Sequence, residues 1–127
     1  MTVGTWDPQG GVNADRVVPA ELIARFLQLE APSQEALADA GLVQEYWVMA
    51  LTADAWQVAE SLGNDELEQL IRLFTQLEVL PGWEAGKKSP VIPLVKMLKG
   101  RDSFSPELRK WIKANTDNRY LPYGSAL

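Results

Sequence analysis

An all-α fold, an irregular bundle of five or six helices carrying a turn-rich N-terminal arm and C-terminal tail, follows from three features of this chain. Apolar residues recur at helical spacing in several separate stretches. Serine, asparagine, proline and glycine stand at the joints between those stretches, where helices start and stop. No pair of alternating apolar and polar runs reads as two strands, and no repeat of fixed period is visible. A length of 127 residues fits one domain, divided into an arm over 1–18, a helical body over 19–115 and a tail over 116–127.

The arm contains Asp7-Pro8-Gln9-Gly10-Gly11 and no helical period, so it is either unordered or laid across the body. Trp6 favours the second arrangement, and could equally reach a neighbouring subunit. A first helix is expected near Pro19, whose missing N–H costs nothing at a first helical position, with Leu22, Ile23, Phe26 and Leu27 as its apolar face. Ala31-Pro32-Ser33 breaks it, because the residue before proline is pushed out of the helical region. A shorter helix follows from Ser33, with Leu37 and Ala40 inward and Gly41 as its C-terminal cap.

Over 42–62, Val48, Leu51, Ala55, Val58, Ala59 and Leu62 keep one helical face, which favours one long helix over two. The alternative is a new helix at Ala53 capped by Thr52. Gly63 and Asn64 form the joint to the next helix, an arrangement that usually packs two helices antiparallel. Tyr46, Trp47, Met49 and Trp56 widen the apolar stripe; packing against the first two helices is expected, with an exposed partner-binding patch as the alternative.

The best-defined helix runs from Asn64 to about Leu80. Leu67, Leu70, Ile71, Phe74 and Leu77 make its apolar face, Asn64 is the expected N-cap, and Asp65, Glu66 and Glu68 favour the positive end of the helix dipole. Pro81-Gly82 ends it. After the loop Glu84-Ala85-Gly86-Lys87-Lys88, Ser89-Pro90 is expected to open a helix to Lys99, ended by Gly100, unless Pro93 delays its start. Ser105-Pro106 opens the last helix, with Phe104, Leu108, Trp111 and Ile112 inward and Arg109, Lys110 and Lys113 outward. In the tail, Tyr120, Leu121 and Tyr123 suggest docking on the body.

Composition excludes more chemistry than it assigns. The chain has no cysteine, hence no disulfide or thiol nucleophile, and no histidine, the commonest general base and metal ligand. The Gly82–Ser89 loop is not a Walker loop, since three residues separate its glycines, Lys88 intervenes before Ser89 and the segment before it is helical. Its two lysines beside a helix start leave a weaker anion-site reading, against that of a solvated loop. A linker from Gly100 to Phe104 is too long for the usual helix-turn-helix. Glu68 with Arg72 and Glu107 with Lys110 are surface pairs, and Glu84 beside Trp83 would have a raised pKa only if buried. No motif requires a cofactor or metal.

Charge is divided along the chain. Up to Leu80 three arginines face thirteen acids, −10; from Pro81 nine basic residues face four acids, +5. Two parts that pack together and partly neutralise are the plainer reading, and a polyanion partner the sharper one. The function expected is therefore a non-enzymatic protein-interaction or regulatory module, with a protein partner or a second copy of the chain. Its contact surface is placed on Trp83, Lys87, Lys88, Lys110, Arg119 and Tyr123, where positive charge, aromatics and irregular backbone coincide. Nucleic-acid or other polyanion binding through the same basic part, with stacking aromatics, is one alternative. A small-molecule protein or enzyme using neither histidine nor cysteine is another. Neither a secretory signal nor a membrane span is read, so a soluble, cytoplasmic protein is expected.

Overall fold

A computed structural model describes residues 17–116 and Asn118, and there the chain is helical, with five α-helices, three 3₁₀ helices and no strand among the described residues. In order these are α1 (Ala20–Leu27), α2 (Gln34–Asp39), two successive 3₁₀ helices (Glu45–Ala50 and Ala53–Ser61), α3 (Asn64–Leu77), a short 3₁₀ turn (Gly86–Lys88), α4 (Val91–Gly100) and α5 (Pro106–Asn115). None is long and apolar enough to cross a membrane. The expectations for Trp6 in the arm and for Tyr120, Leu121 and Tyr123 in the tail lie outside the described residues.

Packing is organised on α3. Its apolar face buries Leu67, Leu70, Ile71, Phe74 and Leu77, and α1, α4 and α5 all lie against it. Phe74 is the hub, with the Phe26 ring 5.1 Å away on one side and the Trp56 ring 5.2 Å away, edge-on, on the other. Such pairs add about 0.5–1.5 kcal/mol beyond the burial of their area.

Local signals explain most of the boundaries. Ser33 and Ser105 cap α2 and α5, accepting from the N–H groups of Ala36 (3.1 Å) and Leu108 (3.0 Å). At the end of α2, Gly41 has φ +73°, and Leu42 N–H returns to Leu37 O at 2.8 Å. Both leucines are buried, the apolar contact that accompanies this reversal. Arg25 donates to the carbonyls of Ala40 (3.0 Å) and Gly41 (3.1 Å), placing positive charge at the negative end of α2. Pro93 does not delay α4, because it stands third in the helix, where no intrahelical partner exists for the N–H it lacks.

Four expectations are corrected. The segment 42–62 is not one long helix: Leu51 (φ −87°, ψ 162°) and Thr52 (φ −76°, ψ 166°) are extended and divide it. The second 3₁₀ helix packs chiefly on α4 rather than back along α3. The cap of α3 is Gly63, whose N–H donates to Glu66 Oε1 at 3.1 Å; Asn64 is its first helical residue, bonded to Ser103 and Arg101 instead. The apolar stripe of 46–56 divides as well, since Trp56 and Met49 are buried, Trp47 is half-buried and Tyr46 is exposed.

Candidate functional site

Chemistry concentrates where the end of α3, the Leu80–Ser89 loop and the start of α4 meet. Leu80-Pro81-Gly82-Trp83 has the pattern of a type II turn, with Pro81 second, Gly82 at φ +89° and Trp83 N–H on Leu80 O at 3.0 Å. The turn sends Trp83 inward. It is 2% exposed, and its ring lies 6.1 Å from Phe26 at a near-perpendicular 85°. The expectation that Trp83 is exposed for contact is thus corrected: it is a core residue. Tyr46 stands over it at 6.4 Å and is 49% exposed. Trp56, Phe74, Phe26, Trp83 and Tyr46 thereby form one aromatic column from the core to the surface.

At the outer end of this column is a cleft of about 330 Å³, walled by the first 3₁₀ helix on one side and the loop on the other. Tyr46, Trp47 and Met49 supply its apolar wall, and Glu84 and Lys88 its charged rim. Glu45 accepts from the Trp47 indole N–H at 2.8 Å, which fixes that ring, and Glu84 accepts from Gly82 N–H at 3.0 Å. Lys88 Nζ reaches Ala50 O at 3.4 Å across the cleft, while Lys87 is exposed beside it. Glu84 itself is exposed. A second cleft, about 350 Å³ beside the α1–α2 turn, is lined mainly by short and acidic side chains and has no aromatic wall.

Under the loop lies an acid that sequence reasoning passed over. Glu78, just past α3, is 7% exposed. Ser89 Oγ–H donates to its Oε2, Asn118 Nδ2–H donates to its Oε1 at 3.0 Å, and Ala85 N–H donates to the same carboxyl. Burial pushes the Glu78 pKa above its ordinary 4.5, and the donors from Ser89, Asn118 and Ala85 oppose that shift without cancelling it. Ser89 is fully buried, and its Oγ also accepts from Val91 N–H at 3.2 Å. The start of α4 is therefore not an open anion site: the chain supplies its own carboxylate there, through Ser89. A signal for Glu78 did exist in the sequence, since it falls four residues after Phe74 and seven after Ile71, on the buried face of α3.

The remaining candidates are scattered. Lys110 is exposed on α5 and does not line the cleft, and Arg119 and Tyr123 lie outside the described residues. Trp111 is half-buried, with the Arg72 guanidinium 4.8 Å from its ring centre and Glu68 2.7 Å from that guanidinium. Arg101, counted with the basic part, serves the fold: it donates to the carbonyls of Glu60 (2.8 Å) and Leu62 (2.9 Å) and to Asn64 Oδ1 (2.9 Å). The acidic and basic parts thus meet at this point through neutral oxygens. Among the described residues no group of three or more carboxylates has a metal-binding arrangement. Compared with protein-family models, with curated proteins and with solved structures, the chain finds no significant match to any of them.

Proposed function

We propose that this domain is a non-enzymatic protein-interaction module, and that its contact surface is the cleft between Tyr46 and Lys88. The observation that carries this reading is the exposed Tyr46 ring held over the buried Trp83, at 6.4 Å, with Lys88 facing it across the cleft. A large aromatic ring left half in water, on a rigid base, resembles the anchors on which interfaces concentrate their energy. The acids nearby are engaged in short-range bonds, Glu45 with Trp47 and Glu84 with Gly82, whereas Lys87 is exposed and Lys88, exposed as well, reaches only the Ala50 carbonyl at 3.4 Å. The partner that fits is a peptide segment presenting an apolar side chain to Tyr46 and Trp47 next to a carboxylate for the lysines.

The test is a peptide selection against the full chain, followed by binding measurements on the selected sequences. Peptides pairing an aromatic or branched apolar residue with Asp or Glu are expected to be enriched. Tyr46→Ala should weaken them by about tenfold or more, as loss of an anchor does. Selected peptides that bind a Tyr46→Ala, Lys87→Glu, Lys88→Glu chain as tightly as the parent would overturn the assignment. The nucleic-acid alternative finds less support, because of the aromatics in the basic part Trp83 is buried and Trp111 is half-buried with Arg72 against its ring.

A further inference from the structure

Glu78 collects donors from three separate stretches: the loop at Ala85, the start of α4 at Ser89, and the segment after α5 at Asn118. The Asn118 amide bridges, because its Nδ2 donates both to Glu78 Oε1 at 3.0 Å and to Gly86 O at 2.8 Å. We propose that Asn118 is a latch that sets the position of the Gly86–Lys88 turn, and with it the rim of the Tyr46 cleft.

Three observations support a latch over a passive surface contact. First, Gly86 opens the turn at φ +56°, and its carbonyl also accepts from Ser89 N–H at 3.2 Å, so Asn118 grips the turn at the atom that closes it. Second, the turn is joined to the opposite wall, since Lys88 N–H bonds Ala85 O at 3.0 Å while Lys88 Nζ reaches Ala50 O at 3.4 Å. A displacement at Gly86 is therefore passed to Ala85 and Lys88, both on the loop side of the cleft. Third, the chain has left α5 before it reaches Asn118: Thr116 is extended, and Asn118 N–H returns to Thr116 Oγ1 at 3.0 Å. The anchor it grips is a buried carboxyl, and water entering as the latch opens restores the solvation that burial removed. Open and closed states are thereby brought closer in free energy than for an apolar dock, which is what a releasable contact requires.

The consequence for binding rests on the cleft being a contact surface; the latch itself does not, and its test uses no partner. Amide hydrogen exchange is to be measured by NMR on the full chain and on Asn118→Ala. The Lys88 and Ser89 amides, which close the turn, should exchange about tenfold faster in the variant, the scale of one lost hydrogen bond to a buried group. Amides in the middle of α3, around Leu70 to Phe74, should be unchanged. Unaltered exchange at Lys88 and Ser89 would overturn the latch. So would an equal rise at the turn and in α3, which would mean that Asn118 merely contributes to global stability. Failure of the peptide selection leaves this readout standing, and the two ideas fail separately.

Discussion

Glu78 and Asp102 show how single positions depart from what their residue types suggest. Glu78 is a carboxyl on a buried face, and burial raises its pKa in the folded chain relative to the unfolded one. A raised pKa means that the folded state holds the proton more tightly. The stabilisation Glu78 gives is therefore fully present below its ordinary value and is lost as pH rises through the raised one. Urea unfolding of Glu78→Gln and the parent chain, compared from about pH 4 to about pH 7, should show the variant gaining relative stability as pH rises. A constant difference across that range would remove the linkage. Asp102 has φ +56° and reverses the chain after α4, with its N–H on Lys99 O (3.0 Å) and Ser103 N–H on Leu98 O (2.8 Å). Glycine normally takes this place; here Gly100 ends the helix two residues earlier and the left-handed geometry falls to an aspartate. Asp102→Gly should raise the unfolding free energy by about 0.5–1 kcal/mol, read from the urea midpoint at unchanged slope.

At the scale of elements, the segment 42–62 carries the clearest lesson. Its apolar residues keep a helical phase across Thr52, yet the chain breaks there and both halves tighten to 3₁₀ geometry. The break lets the two halves face different neighbours. Trp56 and Ala59 are buried, Trp56 against Phe74, while Tyr46 and Trp47 face the loop after α3. A continuous helix would hold those side chains on one rigid axis, so burial overrides the local pattern. Thr52→Pro distinguishes the two architectures. The Thr52 φ of −76° suits proline, Leu51 already has the extended ψ that a following proline prefers, and Thr52 N–H forms no hydrogen bond among the described residues. The variant should fold normally and gain up to about 1 kcal/mol by thermal or urea melts, from a stiffer unfolded chain. In a single long helix the same change would cost about 3 kcal/mol or more.

For the whole molecule, one aromatic column runs from the core to the surface proposed for binding. Phe74 lies near its inner end, fully buried between Phe26 and Trp56, and Tyr46 lies at its rim. Phe74→Asp places a carboxylate among rings and should abolish the cooperative melt, and Phe74→Ala should cost about 3–5 kcal/mol. Lys87→Glu, on an exposed turn, should shift stability by less than about 0.5 kcal/mol. Equal melting temperatures for Phe74→Asp and the parent would require the architecture to be redrawn.

Much of this was legible from local physics. The helical class, the apolar face of α3, the serine caps of α2 and α5 and the glycine reversal after α2 each depend on a few neighbouring residues, and the chain spells them out. The Lys87–Lys88 turn was also found as a polar, irregular stretch. The tertiary structure alone decided where long-range partners compete with local preference. It turned Trp83 inward, because a ring beside Phe26 buries more area than one in solvent. It broke the helix at Thr52 and gave Arg101 carbonyl oxygens from residues about forty positions away. It also brought Ala85, Ser89 and Asn118 onto one buried carboxyl. Periodicity reports which face of a segment is apolar; which segment covers that face, and which polar groups are enclosed with it, depend on pairings that no local window contains.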